Sequence, residues 1–390
     1  MRAWLEAWLN ARWYPHYEDS ERSASVLVRS FLLTILLTPI AFIYGRAVAA
    51  RRQRARRRAG DPNTQILAAR KESQNLLAPT VVVGNLTAGG SGKTPLVAAL
   101  VAQLMKKNLR VGIVARGYGA KAPSYPRVVT AYSTPSECGD EALDLAVQTG
   151  APVIVAPDRP QACRWLHELF DCQLIVSDDG LQHYAMARQL ELLVINAQRG
   201  LGNQHLIPRG PLREPLDRLA EVDMVILMQE AALGAQGETA VQQLVQVLHT
   251  HATKVPVIRC TLQTSALVNL ATGARVECAD ATRVFGRATR WVAVSSIANP
   301  ESFHRDLRAL RVEFVAGVFA DHHVYRSTDL LPYVGSGLVT TSKDAVKIQV
   351  LMARDPRLRE LEVWVLERAI RLDQDAQQSL DELLATVVDH

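Results

Sequence analysis

Cysteine is scarce in this chain: the five residues, at 138, 163, 172, 260 and 278, form no Cys-x-x-Cys and are odd in number. Neither a disulfide framework nor a zinc knuckle is suggested, so a reducing compartment is the expectation. A guanine-recognising Asn-Lys-x-Asp is missing too. Internal repeats are absent, and the one biased tract is a short run of arginines. Nor is there an uncharged apolar run of the roughly 20 residues that a membrane-spanning helix needs.

What is present is a globular composition: 390 residues, 48% of them apolar, enough for two domains that each bury a core. The formal charge is +5, its excess concentrated near the N-terminus. There, residues 30–45, SFLLTILLTPIAFIYG, carry no charge, and RRQRARRR follows at 51–58. Sixteen residues are too few to span a bilayer, and Pro39 would kink their helix. A secretory signal would need a small-residue cleavage site, which does not follow. The expectation is a shallow or re-entrant helix held by arginines against anionic lipid. A buried core helix and a nucleic-acid arm are the alternatives, and the adjoining apolar run favours lipid over nucleic acid.

Chemistry first shows in VVVGNLTAGGSGKTPLVAAL, residues 81–100. Three β-branched valines make a strand, four glycines fall within 84–92, and an apolar helical run follows Lys93 and Thr94. Gly89, Gly90, Ser91 and Gly92 would let backbone N–H groups wrap round phosphate oxygens, assisted by the positive end of the opening helix. Lys93 would reach the β and γ phosphates, and the Thr94 hydroxyl would ligate Mg²⁺. One departure is evident: the strict P-loop pattern has glycine where this chain has Thr87.

Apolar runs at 79–86, 110–115, 152–156, 173–178, 191–196 and 223–228 alternate with helical patterns. This predicts an α/β fold with a doubly wound, mostly parallel sheet, whose ligands sit outside the carboxyl ends of the strands. The polar motifs fall at those ends, RGYG at 116–119, PDR at 157–159, SDDG at 177–180 and NAQRG at 196–200 among them. From about 230 a second strand-and-helix alternation begins, with Asn299-Pro300 as a helix start. The expected organisation is an N-terminal membrane-associating segment over 1–60, a P-loop domain over 61–229 and a smaller α/β domain over 230–390.

A P-loop enzyme needs a metal-ordering acid at a neighbouring strand end, and CQLIVSDDG supplies Asp178 and Asp179. In ECGDEALDLA, Asp140 or Glu141 is either a helix N-cap or a carboxylate that takes a proton from an acceptor hydroxyl. VFADHHVY offers His322 and His323 beside Asp321, and two adjacent histidines on a strand cannot point the same way. RGLGNQHLIPRGPLREP, 199–215, is either a long solvated loop or a phosphate clamp using Arg199, Arg209 or Arg213.

Together these motifs resemble the tetraacyldisaccharide 4′-kinase family, in VGNLTAGGSGKTP, ARGYG, GDEALDLA, SDDGLQHY, RGLGNQHLIPRGPLREP, FADHH and SKDAVK. The resemblance covers most of the chain, and the order of its motifs is far more specific than a P-loop alone. It implies a P-loop kinase-like fold, with ATP and Mg²⁺ used to phosphorylate the 4′-hydroxyl of an acylated glucosamine disaccharide 1-phosphate, giving lipid IVA in lipid A biosynthesis. By motif, Lys93 looks like a catalytic and phosphate residue. Asp140 resembles the catalytic base, in a dyad with His322, His323 being the second candidate. Thr94, Asp178, Asp179 and Glu141 fall to the metal, and Arg116, Arg199, Arg213 and Glu214 to the substrate. Ala142 stands where proline is expected after Gly-Asp-Glu, which bears on the local helix start.

The implied location is the cytoplasmic face of the bacterial inner membrane, with an anionic membrane surface as partner. Neither nucleic acid nor an obligate protein partner is expected. The rival reading is a membrane-anchored P-loop NTPase switch acting on a protein partner. It is weakened by the missing Asn-Lys-x-Asp and by Ala88, where membrane-targeted switches of the deviant Walker type carry lysine.

Overall fold

A computed structural model describes residues 9, 12–14, 24–58, 78–130, 132–230, 235–286 and 290–388. The linker expected near 60–63 lies outside them. Among the described residues, thirteen strands form one sheet: Thr80–Gly84 (β1), Val111–Ala115 (β2), Arg127–Val129 (β3), Val153–Val155 (β4), Leu174–Asp178 (β5), Leu190–Asn196 (β6), Met224–Glu230 (β7), Val257–Asn269 (β8), Arg275–Glu277 (β9), Trp291–Ser295 (β10), Val315–Val318 (β11), Gly337–Thr341 (β12) and Glu362–Arg371 (β13). Their order is β11-β10-β12-β13-β8-β7-β6-β1-β5-β2-β4-β3, with β9 beside β8. Helices of eight or more residues are Ala24–Arg58 (α1), Lys93–Lys106 (α2), Asp140–Thr149 (α3), Arg159–Phe170 (α4), Ala235–His251 (α5), Pro300–Ala309 (α6), Ser342–Arg354 (α7) and Gln374–Val388 (α8).

β1 and β5 are buried along their whole length, as central parallel strands covered on both faces must be. In α2, Leu96, Val97, Leu100, Val101 and Leu104 form one buried stripe against that sheet. α8 returns to the same core through Ala376, Leu380, Leu384 and Val387. Two further clusters flank the second block, around Trp364 and Phe303 on one face and Leu338 and Ile348 on the other.

The blocks meet in a long antiparallel ribbon of β8 and β13, which the alternation pattern did not anticipate. β7 pairs in parallel with the first half of β8, ending at Glu230 beside Leu262. β12 pairs in parallel with the first half of β13, ending at Thr341 beside Leu366, which itself lies opposite Leu267. The strands of one block therefore run toward those of the other, and their carboxyl ends stop about 17 Å apart along the ribbon, at about 3.4 Å per residue. A register shift between Glu367 and Arg368 lies in that gap. Both sets of strand-end loops consequently open on one cleft.

α1 is continuous through Pro39 and joins the apolar run to the arginine run. Ala41, Val48 and Arg52 lie buried on one side, while Ile40, Phe42 and Ile43 are exposed. Tyr44 donates its hydroxyl to the Arg213 carbonyl at 2.9 Å. Arg52 was expected to meet lipid with its neighbours; it pairs instead with Asp217 at 2.8 Å and Glu221 at 2.6 Å. Among the described residues no helix is long and apolar enough to cross a membrane.

Candidate active site

The first wall of the cleft is the turn between β1 and α2. Gly89 and Gly92 have φ of 103° and 83°, and a Cβ at Gly92 would stand 2.7 Å from Met228, so both positions require glycine. Thr87 needs no such freedom, being bridged in antiparallel fashion to Leu212. That explains the departure from the strict pattern. The loop after β6 braces this turn: Arg213 N donates to the Leu86 carbonyl at 2.7 Å, and Ala88 N to the Pro211 carbonyl at 2.8 Å. Inside the turn, Asn85 donates to the Thr87 carbonyl at 2.8 Å.

β5 ends in Asp178, and Asp179 follows with φ of 50°. Beneath them the buried Arg159 donates to Ser177 Oγ at 2.8 Å and to the Asp178 carbonyl at 2.7 Å, fixing the turn. Asp179 receives Arg213 at 3.0 Å and Lys93 at 3.4 Å. Burial pushes its pKa upward, but those two cations prevail and hold it at about 2. Asp178 differs. It is buried, its Oδ1 has no hydrogen-bond partner, and burial followed by the charge of Glu141 raises it to about 7. An orphaned buried carboxylate oxygen beside a second carboxylate suits a cation.

The facing wall begins at Gly139, whose φ is 85° and where a Cβ would stand 2.9 Å from the Tyr118 carbonyl. This glycine, and not Asp140, occupies the cap position of α3; Asp140 is the first helical residue. Its carboxylate accepts His322 Nδ1, at 3.0 Å to Oδ2 and 3.2 Å to Oδ1, across 182 residues of chain. Lys347 lies 3.4 Å and Lys343 3.9 Å from Oδ2. Burial raises the Asp140 pKa, and the bond from His322 with the two lysine charges outweighs it, giving about 2. The same bond raises that of His322 against the opposing effect of burial.

His323 turns the other way, stacking on Phe319 and bonding Asp329 at 2.9 Å. The positive φ of His322, 57°, reverses the chain between the two. Glu141 lies 3.4 Å from Lys343, which also stands 3.4 Å from His322 Nε2. Arg199 lies over the P-loop: a Cβ at Gly89 would be 3.2 Å from its guanidinium. Arg116 is exposed at the end of β2, near enough to Arg159 and His183 to lower their pKa values. Glu214 is buried elsewhere, accepting Tyr184 at 2.7 Å and lying 3.4 Å from Arg218. Lys343, Lys347 and Arg159 carry no role in the sequence reading. Both lysines lie in SKDAVK, one of the motifs of the resemblance, and their spacing of four on a helix puts them on one face.

A family model described as tetraacyldisaccharide-1-P 4′-kinase matches residues 33–388. The chain is 39% identical over 320 residues to a tetraacyldisaccharide 4′-kinase of Ectopseudomonas mendocina, covering 82% of this chain and 86% of that one. It is 43% identical over 277 residues to one from Azotobacter vinelandii, covering 71% and 76%. In fold it is similar to LpxK of Aquifex aeolicus, a structure solved in complex with ATP, at a TM-score of 0.67 and 24% identity over 91% of this chain and 99% of that one.

Proposed function

The chain belongs to the tetraacyldisaccharide-1-P 4′-kinase family, and from that premise we propose how its cleft passes the γ-phosphoryl group of ATP to the 4′-hydroxyl of a tetraacyldisaccharide 1-phosphate. The contact that carries the reading is the bond between His322 and Asp140, which draws together, on the wall facing the P-loop, two residues 182 apart in the chain. The glycine cradle and the orphaned Asp178 oxygen fit nucleotide phosphates and Mg²⁺. Thr94, Asp178 and Glu141 would hold the ion, and Asp179 would join them by releasing Lys93 or Arg213. Bound Mg²⁺ would neutralise charge on the phosphate oxygens.

Lys93 supplies positive charge to the transferring group. Asp140 receives the acceptor hydroxyl and then its proton, and His322 keeps the carboxylate turned toward that hydroxyl. A carboxylate near 2 is a weak base. That suffices where the transition state is loose and the hydroxyl loses its proton late. Arg199 and Arg213 stand at the phosphate side, and Arg116 at the open edge of the cleft. Glu214, buried against Tyr184 and Arg218, is given no contact with substrate in this scheme.

In this scheme residues 61–229 bind nucleotide, residues 230–390 supply His322 and the lysines, and residues 1–60 bring the enzyme to its acylated acceptor. The exposed Ile40, Phe42 and Ile43 on α1 support contact with a membrane surface, and use of ATP would put that surface on the cytoplasmic side of the inner membrane. Family membership favours the kinase over a protein-regulating switch. Label transfer from γ-labelled ATP to purified disaccharide 1-phosphate tests the reading: label at the 4′ position is expected. Nucleotide hydrolysis with no labelled lipid would refute it.

A further inference from the structure

Lys347 is a buried lysine that the scheme above leaves without a task. Its side chain is 7% exposed, and its ammonium lies 2.9 Å from Asp344 Oδ1, 2.7 Å from Ser296 Oγ and 3.4 Å from Asp140 Oδ2, with the Tyr325 ring 5.6 Å away. Asp344 is fully buried at the start of α7. Its carboxylate already accepts Ser296 N at 2.8 Å, Thr341 Oγ1 at 2.9 Å and the Ser296 hydroxyl. Neutral donors alone therefore give that carboxylate three partners. A lysine serving only Asp344 would have no reason to stand within reach of a second carboxylate.

We propose that Lys347 is a positioning residue for phosphoryl transfer: a strut, anchored on Asp344 and Ser296, that fixes the orientation of the Asp140 carboxylate. The inference rests on the reading of Asp140 as the residue that receives the acceptor hydroxyl. Asp140 Oδ1 is held by its neighbour's backbone, Glu141 N at 3.0 Å, and His322 Nδ1 bridges both oxygens. Oδ1 thus has two donors, whereas Oδ2 shares His322 and otherwise meets only lysine charge, Lys347 at 3.4 Å being nearer than Lys343 at 3.9 Å. Held from the protein side, Oδ2 would keep a lone pair for the acceptor hydroxyl. Small errors in such aim are costly to catalysis.

The test uses the full-length chain, ATP and tetraacyldisaccharide 1-phosphate. Lys347→Met alone strands Asp344 as an uncompensated buried charge and lowers the melting temperature. Lys347→Met with Asp344→Asn removes the pair as a unit. That double variant is expected to melt close to wild type while kcat stays down on the order of 100-fold and the ATP KM changes by less than about twofold. In an Asp140→Asn background, adding Lys347→Met should cost less than about a further threefold, because the lysine acts through the lost carboxylate. Activity returning together with stability, or losses that multiply with Asp140→Asn, would overturn the strut. Near wild-type kcat in Asp140→Asn itself would instead overturn the assignment of Asp140, and the strut with it.

Discussion

The wall that carries the P-loop is made within one short stretch, residues 84–94, whose backbone path depends on two positive-φ glycines. The wall facing it takes Asp140 from α3, His322 from the turn after β11, and Lys343 and Lys347 from α7, and is made of side chains. A backbone site is specified locally, so it can be read from a few residues and is hard to lose except by changing a glycine or its lysine. A side-chain site assembled across 182 residues depends on the register of the β8–β13 ribbon that points both sets of strand ends at one cleft.

The comparison is broken most severely at its centre. Lys93→Ala removes the one cation of the P-loop turn and should lower kcat by about 10³-fold or more with folding intact. A folded variant with near-normal kcat would show that the first wall is scaffold only. On the facing wall, Asp140→Ala and His322→Ala should each depress kcat far more than the KM for ATP, and the double variant should lose much less than the product of the two, as members of one unit do. Independent, multiplying losses would dissolve the dyad.

The pH profile sharpens the contrast. Asp140, at about 2, is ionised throughout the neutral range. A limb of kcat/KM near neutrality then belongs to His322, whose pKa its bond to Asp140 raises, and it should vanish in His322→Gln. If the limb survives, titration passes to Asp178.

Asp178 makes the subtler case. Its folded pKa, about 7, lies above its ordinary 3.8. The ionised form is the one folding disfavours, so the ligand-free protein loses stability as pH rises from about 4 through 7. Asp178→Asn should therefore raise the melting temperature at pH 8 without Mg²⁺, with the gain shrinking toward pH 4, while abolishing turnover or raising its Mg²⁺ requirement. A pH-independent change in melting temperature would remove the buried charge from the account. The smallest effect is expected far from both walls: Arg52→Ala loosens α1 from Asp217 and Glu221, for a stability loss of about 1 kcal/mol that salt reduces, readable in urea denaturation. A loss of several kcal/mol would mean α1 is part of the folding core.

The same asymmetry explains what the sequence made legible. Strands β1, β2, β4 to β7 and the turn into α2 follow from apolar runs and punctuation that lie next to one another in the chain. Asp178 and Asp179 were readable for the same reason. The pairing of Asp140 with His322 entered only through a family resemblance, since nothing local links the two. The choice between His322 and His323 turns on a positive φ and on the stacking of His323 against Phe319, neither of which has a composition or a period. Lys347 lies in the quoted motif SKDAVK, but its role was not legible because a lysine four residues after another on a helix ordinarily reads as a solvated face. The extra length of β8 and β13, and their antiparallel pairing, were equally hidden: strand partners are long-range facts.

The bracing of the P-loop by the chain at Pro211 to Arg213 bears on how much length variation this protein can tolerate. The carbonyls and amides of Leu86, Ala88, Pro211 and Arg213 interlock like the teeth of a short zip. Adding one residue between Leu206 and Leu212 would shift every tooth by one position and turn Leu212 from its buried place toward water. The glycine- and proline-rich loop, by composition the most permissive stretch of the chain, is thereby one of the least free to grow.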